Sequence, residues 1–306
     1  MSAHTSLKPV IFALGANLVI ATIKFIVAFI TRSSAMLAEA IHSVADCTNQ
    51  IFLLIGHKRS LKPANEHHPF GYGKEEYFWS LMVAVLLFFV GALFSIYEGV
   101  HKMMHPQELH SVHWAFIVLG ISIILEAKSF HVAFSHFKKS NANKKLLRSL
   151  KETSDTSTLV ILLEDFGALA GLVIVLLSTF FAWLISPIFD AIGSVMVGLL
   201  LVSISFFLAF ELRKLITGES INREACSEIK NIVEKSFLIK RINNIKTMHI
   251  GKEKFILLIS ADVKEDALGY DIEDHFEKIK TQIREKYPNA EYIYIEAKDA
   301  VRNQKE

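Results

Sequence analysis

The sequence predicts a bundle of six transmembrane helices followed by an aqueous α+β domain. Hydrophobic residues make up 52% of the 306 positions, and the mean hydropathy is +0.36, whereas an ordinary soluble domain has about 45–50% apolar residues. Of the 64 charged residues, 36 lie from Glu211 onward. The chain therefore divides into a transmembrane part, residues 1–210, and an aqueous part, residues 211–306.

Six apolar runs in the first part are each long enough for one transmembrane helix. Crossing about 30 Å of hydrocarbon takes roughly 20 helical residues. The first run is longer than the core of a signal peptide and a second run follows it at once, so we expect it to be retained as a helix. The runs cover residues 10–30, 35–55, 77–100, 112–134, 156–185 and 188–210.

The last part alternates between helical and strand patterns. We predict helices over residues 222–236 and 271–286, and strands over 245–250, 255–263 and 291–296. The order αββαβ in fewer than about 90 residues is typical of a small sheet with its helices on one face.

Basic residues between the runs predict the orientation in the membrane. Eleven Lys and Arg lie in the N-terminal segment and the even-numbered loops, and only Arg32 and Lys102 lie in the odd-numbered loops. Positive residues stay on the cytoplasmic side, so both termini are expected there. We expect a bacterial inner (plasma) membrane, because no transit-peptide pattern precedes the first run.

Composition also excludes some classes of protein. The two cysteines, Cys47 and Cys226, lie in different halves of the chain, which argues against a secreted disulfide scaffold. A net charge of +2 gives no basic face for nucleic acid. We expect no nucleic-acid partner and no organic cofactor.

Polar residues within the second predicted helix form one face. Glu39, His42, Asp46 and Asn49 are spaced by three, four and three residues, which places them on the same side over three turns. A histidine nitrogen together with carboxylate oxygens, and no thiolate, suits Zn²⁺, Co²⁺, Fe²⁺ or Mn²⁺ as the bound metal. The alternative is that His42 and Asp46 only hydrogen-bond to each other and to neighbouring helices.

Two further carboxylates interrupt the apolar fifth helix at Glu164 and Asp165. A carboxylate near the bilayer centre costs about 2.5–3.5 kcal/mol, so four of them, with Glu39 and Asp46, would cost roughly 10–14 kcal/mol without compensation. A bound divalent cation is the simplest compensation. Adjacent helical residues diverge by about 100°, so one of the pair is expected to face His42, while the other lines a water path or pairs with Lys24 or Lys128.

The loop before the third helix contains His67 and His68 beside a Gly-x-Gly turn. The two histidines could bind a second metal at the membrane surface. The alternative is a polar turn that packs against the aqueous domain. In that domain, possible ligands fit no compact metal motif, so a solvated surface is the favoured interpretation for His249, Asp262, His275 and Glu296.

These patterns together resemble the cation diffusion facilitator family of divalent-metal/proton antiporters, over nearly the whole chain. The matching segments are residues 33–46, the loop Phe70-Gly71-Tyr72-Gly73-Lys74, Leu163-Glu164-Asp165, and residues 211–219. Leu163-Glu164-Asp165 and Phe78-Trp79 are similar to the branch that includes the mitochondrial zinc transporter of animals.

The resemblance implies a homodimer with a ferredoxin-like cytoplasmic domain and a transport site on helices 2 and 5. His42 and Asp46 match the family pattern in helix 2. In helix 5, Asp165 falls at the family's Asp, and Ile161 stands where the second ligand is expected, so Glu164 is the nearest substitute. Tyr72 stands where many relatives have His in the loop, and Glu296 lies close to a His of many relatives' tails.

The resemblance also implies export of a divalent cation, Zn²⁺ foremost and Mn²⁺, Fe²⁺ or Co²⁺ as alternatives, in exchange for protons by alternating access. Two other classes are alternatives: an intramembrane metalloenzyme with His42, Asp46 and Glu164 around a catalytic metal, and a metal-responsive membrane receptor. The chain has no His-Glu-x-x-His run and no Ser or Cys nucleophile paired with a base, which disfavours an enzyme.

Overall fold

A computed structural model describes residues 7–105, 112–140, 146–252, 254–265 and 267–299. The chain forms two compact units. The first contains the residues up to Lys58 together with Phe78–Leu212, and the second contains Arg59–Tyr77 together with the residues from Arg213 onward. Of the basic residues that predict the orientation, Lys144 and Lys145 lie outside the described residues.

Helices form at all six places where the sequence predicts transmembrane runs. The third begins as α3 and continues through a seven-residue π-helical segment, Leu87–Leu93, into α4. A short helix, α6, lies in the connection that follows α5 and was not predicted. The bounds are α1 Leu7–Thr31, α2 Ser34–Ser60, α3 Glu75–Leu86, α4 Phe94–Met104, α5 Val112–Ser140, α6 Leu146–Glu152, α7 Thr156–Leu184 and α8 Ile188–Thr217.

Within the described residues, four helices are long and apolar enough to cross a membrane: Glu75–Met104, Val112–Lys139, Thr156–Leu184 and Ile188–Thr217. A shorter apolar stretch of α1 covers Leu18–Thr31. The 27-residue α2 is long enough, but the polar residues of its buried face lower its hydropathy. The fold thus has a helical transmembrane domain, while the count of six spans stays a prediction.

Packing in the first unit separates a tight interior from an apolar exterior. Small and aliphatic side chains fill the interior, among them Leu87, Leu119 and Leu172. Large apolar side chains point outward, and Phe29 is 87% exposed and Ile124 71% exposed. Such an exterior suits contact with lipid rather than water.

Helix α8 packs closely against α4 and the segment before it. A Cβ added at Gly198 would lie 2.5 Å from Cγ1 of Ile96 and 2.9 Å from the carbonyl oxygen of Ala92. From the other side, a Cβ at Gly99 would lie 2.7 Å from Cγ2 of Val195. Only glycine permits this approach of the two backbones.

The second unit has the predicted αββαβ order: α9 Arg223–Glu234, β1 Ile239–Gly251, β2 Lys254–Val263, α10 Gly269–Lys286 and β3 Ala290–Ala297. The central strand β2 is antiparallel to β1 and parallel to β3, with α10 as the crossover. Leu257 is buried in the core with residues of α9 and α10, whereas Leu258 is 45% exposed. The helices therefore cover one face of the sheet, as predicted.

Strand β1 begins six residues before the predicted strand. Its first half contains Lys240, Arg241, Asn243 and Asn244, which show no apolar alternation. Two irregularities in register occur there, between Ile239 and Asn244. The pairing with β2 extends the strand where local pattern gives no signal.

The loop between α2 and α3 packs on the sheet of the second unit. The Tyr77 hydroxyl donates a 2.6 Å hydrogen bond to the carbonyl oxygen of Gly251, and Lys74 Nζ donates to the carbonyl oxygen of Ile216 at 3.3 Å. The rings of Phe70 and Tyr292 meet edge to face at 5.3 Å. These contacts are those of a packed turn, one of the two alternatives that the sequence offers for this loop, while metal binding at His67 and His68 stays a prediction.

Candidate metal centre

The polar face of α2 points into the helical unit. Glu39, His42 and Asn49 are buried, with exposed fractions of 0%, 1% and 0%. The Asp46 side chain is 14% exposed. Because ordinary buried polar groups find hydrogen-bond partners, the partners of these four side chains decide what the face can do.

Glu39 is neutralised by a lysine from α1. Lys24 Nζ lies 3.0 Å from Glu39 Oε1 and donates a 2.7 Å hydrogen bond to Ser43 Oγ. Lys24 is fully buried. The lysine therefore compensates Glu39, not a carboxylate of the fifth predicted helix, and only Oε2 of Glu39 remains without a partner.

His42 and Asp46 do not satisfy each other. Their closest approach, Nδ1 to Oδ1, is 3.6 Å, which is too long for a hydrogen bond. Both ring nitrogens of His42, Oδ1 of Asp46 and Oδ1 of Asn49 are buried without a hydrogen-bond partner. The alternative that the pair only bonds to itself and to neighbouring helices does not describe these atoms.

Helix α7 sends Glu164 toward this face. Asn49 Nδ2 donates a 3.1 Å hydrogen bond to Glu164 Oε1. Glu164 is 7% exposed. Helix α7 therefore brings Glu164 to the polar face of α2 that also carries His42 and Asp46.

Asp165 points elsewhere. Its Oδ2 accepts a 3.0 Å hydrogen bond from Ser129 of α5, and it lines a cavity of about 600 Å³ with Lys128 and His136. The structure thus separates the two adjacent carboxylates, as the 100° step of a helix predicts. It places Glu164, rather than Asp165, beside α2.

In this conformation, no three His, Cys, Asp or Glu side chains of the described residues lie close enough together to hold a metal ion. In the loop, the His68 ring stacks on Tyr72 at 4.1 Å, and the backbone N–H groups of His67 and His68 donate to Asn65 Oδ1. Both histidines are exposed. The loop geometry is that of an ordered turn.

The possible ligands of the second unit are spread over it. Nδ1 of His275 lies 2.8 Å from the carbonyl oxygen of Asp271 on the same helix. His249 is on β1, where burial lowers the pKa of its imidazole. Neither belongs to a group of three ligands within the described part of the chain.

A second buried polar cluster was missed by the sequence analysis. Lys102 Nζ lies 3.2 Å from Asp190 Oδ2, Lys102 also donates to the carbonyl oxygen of Arg32, and Ser33 Oγ donates to Asp190 Oδ1 at 2.5 Å. The sequence signal that could have revealed the cluster is Asp190, a charged residue just inside the sixth apolar run. The cluster joins the turn after α1 to α4 and α8.

Comparison with known proteins identifies the family to which the chain is similar. Residues 10–216 match the family described as the cation efflux transmembrane domain. The chain is 30% identical over 267 residues to the mouse protein named proton-coupled zinc antiporter SLC30A9, mitochondrial, and 31% identical over 268 residues to its human counterpart. Each alignment covers 86% of this chain and 47% of the relative, so the chain spans about half the length of these relatives.

A bacterial relative aligns over nearly its full length. The Bacillus subtilis protein named manganese efflux system protein MneP is 24% identical over 290 residues, which is 95% of both chains. The predicted likeness to the branch with the mitochondrial zinc transporter is confirmed by the mouse and human relatives. Because the family match covers two thirds of the sequence, the chain belongs to the cation efflux family, a family of transporters and not of enzymes.

Proposed function

We propose that this protein exports a divalent metal cation, foremost Zn²⁺, from the cytoplasm in exchange for protons. The observation that carries the proposal is the set of buried polar atoms without partners on α2, opposite Glu164. Leaving such groups unsatisfied is costly. A cation that passes through the site would satisfy them in one of its states.

His42, Asp46 and Glu164 form the core of the proposed site. One imidazole nitrogen and two carboxylates suit Zn²⁺ and the other divalent transition metals. Glu39 and Asn49 each have one unpartnered oxygen on the same face, so either can complete the shell when the helices move. We leave Asp165 out of the proposed shell, because its Oδ2 accepts a hydrogen bond from Ser129 of α5.

Proton exchange follows from the same ligands. A metal binds to neutral imidazole and ionised carboxylates, so metal binding releases protons and proton binding releases metal. Opening the site alternately to each side of the membrane would couple the two flows. The relatives named proton-coupled zinc antiporters support this assignment.

Mn²⁺ is a second candidate for the transported metal. Two carboxylates with one histidine also suit Mn²⁺, and a relative that covers almost the whole chain is named a manganese efflux protein. Zn²⁺ is favoured because His42 supplies a nitrogen ligand and the relatives named zinc antiporters are more similar to this chain.

The surrounding assembly is part of the proposal. We propose six spanning helices, including α1 and α2, with residues 1–210 as the transport domain, residues 211–306 as a ferredoxin-like domain, and both termini in the cytoplasm. Eleven basic residues against two support the orientation. A homodimer in a plasma membrane, and metal binding at His67 and His68, stay predictions from the family resemblance and the sequence.

Uptake into proteoliposomes tests the proposal. Vesicles with an acidic interior are given Zn²⁺, Mn²⁺, Fe²⁺ or Co²⁺, and internal metal is measured for the unaltered chain, for Asp46→Ala and for the exposed control Asp274→Ala. We expect Zn²⁺ uptake that requires the pH gradient and is lost only in Asp46→Ala. Uptake that ignores the gradient contradicts exchange, and Mn²⁺ uptake without Zn²⁺ uptake contradicts the zinc assignment.

A further inference from the structure

A cavity of about 1070 Å³ opens beside the turn that joins α1 to α2. Apolar side chains of α1 form one wall, and α4 forms the other with Glu98, His101, Lys102 and His105. The cavity lies at the end of the helical unit where α2 begins, and α2 runs from there to the other end of that unit. In the proposed orientation this is the non-cytoplasmic mouth.

Two histidines at the C-terminal end of α4 line this mouth as a pair. His101 is in the last turn of the helix and His105 is its capping residue, with non-helical backbone angles. Their ring centroids are 5.1 Å apart, and their planes differ by 31°. The Tyr97 ring stacks on the far side of His101 at 6.1 Å and 22°. Both histidines are exposed, so an ion in the mouth can reach both rings.

A backbone contact orients the outer histidine. Nδ1 of His105 lies 3.4 Å from the carbonyl oxygen of His101. In the tautomer with the proton on Nδ1, the ring donates to that carbonyl and leaves the Nε2 lone pair free. Protein histidines that bind metal through one nitrogen commonly donate from the other in this way.

The charged side chains that line the cavity are Glu98 and Lys102 of α4 and Arg32 of the turn between α1 and α2. Helix α4 ends at Met104, so the negative end of its dipole lies at the two rings. Glu98, one turn before His101, lines the same cavity. The positive charge of Lys102 is balanced by Asp190 at 3.2 Å, which reduces its repulsion of an arriving cation.

We propose that His101 and His105 bind a divalent transition-metal cation at this mouth, with water completing the shell. Two imidazoles suit Zn²⁺, Co²⁺, Ni²⁺ and Cu²⁺. That the ion arrives from the site between α2 and α7 rests on the proposed function. Binding itself does not, because the pair is accessible from outside the bundle.

Metal binding to the purified full-length chain tests this site apart from transport. Zn²⁺ is titrated by equilibrium dialysis into the unaltered protein, into His101→Gln and His105→Gln, and into the exposed control His113→Gln. We expect either of the first two variants to lose the same equivalent of Zn²⁺, or to bind it about tenfold or more weakly. His113→Gln should retain it.

Cu²⁺ paramagnetic resonance gives a second readout. The mouth site should show two nitrogen ligands in the unaltered protein and one in each single variant. Unchanged Zn²⁺ binding and unchanged nitrogen coupling in both variants would overturn the proposal, as would loss of this Zn²⁺ equivalent only in a His67→Gln/His68→Gln variant. If Asp46→Ala abolishes transport but still binds the Zn²⁺ equivalent at the mouth, both proposals hold. If the unaltered chain transports no metal but still binds the equivalent of Zn²⁺ that requires His101 and His105, only the proposed function fails.

Discussion

Asn49 of α2 and Glu164 of α7 are joined by a 3.1 Å hydrogen bond, from Nδ2 to Oε1. The bond holds Glu164 against the face that carries His42 and Asp46, while the adjacent Asp165 bonds to Ser129 on α5. Two neighbouring carboxylates of one helix therefore have different partners, and they should respond differently to the loss of their charge.

Glu164→Gln should abolish metal transport, whereas Asp165→Asn should retain most of it. Glutamine keeps the size of Glu164 but removes an anionic ligand, so we expect metal affinity to fall by at least about tenfold. Uptake of Zn²⁺ by proteoliposomes at equal protein content measures both variants. Normal uptake by Glu164→Gln together with loss in Asp165→Asn would reverse the assignment of the helix α7 ligand.

Lys24→Met should destabilise the helical unit strongly. Lys24 is buried and compensates Glu39 at 3.0 Å, and breaking a buried ion pair from one side costs about 3–5 kcal/mol. The double variant Lys24→Met/Glu39→Gln removes the uncompensated charge and should recover much of the loss. Thermal unfolding in detergent measures this.

The exposed pair Lys278–Asp274 on α10 provides the matched control. Lys278→Met should hardly change the unfolding temperature, because solvent screens the pair. An equal effect of Lys24→Met and Lys278→Met would contradict the structural role of Lys24.

Gly198→Ala should weaken the packing of α8 on α4. The added Cβ would meet Ile96 and the backbone of Ala92, and overpacking of this kind costs about 1–3 kcal/mol. Gly120→Ala on α5 is the control, since nothing lies within 4 Å of its added Cβ and alanine favours a helix. The unfolding temperature should fall in the first variant only; equal temperatures would show that the helices can shift apart freely.

Acidification should destabilise the sheet of the second unit through His249. Burial lowers the pKa of this imidazole, and a hydrogen bond to the backbone of Lys254 opposes that effect only in part. The unfolded chain then takes up a proton near its ordinary pKa of about 6.5, before the folded chain does. Stability is therefore full above that pH and decreases as the pH falls through it toward the lower pKa of the folded state.

Hydrogen exchange of the full-length chain measures this effect. Protection of β1 and β2, corrected for intrinsic exchange rates, should be lower at pH 5.5 than at pH 7.5. In His249→Leu that difference should shrink, because the variant has no imidazole to protonate. A difference of the same size in the variant would assign the pH effect to another group.

Much of the fold follows from the sequence, because the spacing of apolar residues within one helix or strand is a local pattern. Helices form at all six places where the sequence has an apolar run of membrane length, while the number that span the membrane stays a prediction. The αββαβ order follows from the alternation of helical and strand patterns. The first half of β1 is not predictable in this way, because residues such as Lys240 and Asn244 are held in a strand only by pairing with β2. Pairing between distant segments leaves no local pattern.

The candidate site shows the same division. Spacing alone put Glu39, His42, Asp46 and Asn49 on one face, and burial confirms that this face is internal. Spacing could not choose between Glu164 and Asp165, because the choice depends on how α7 is rotated against α2 and α5. The Lys24–Glu39 pair joins the consecutive helices α1 and α2, and the Lys102–Asp190 pair joins residues of α4 and α8 that are 88 positions apart; both depend on how the helices pack, so only the packed structure shows them.

The loop that carries Tyr77 also constrains the order of assembly. Arg59–Tyr77 belongs to the second unit, yet everything from α3 to α9 separates it from β1 along the chain. During synthesis this loop emerges long before Gly251, the carbonyl partner of Tyr77. The second unit can therefore be completed only when the chain is nearly finished, so Arg59–Tyr77 must wait for its partners while the helices between them are made.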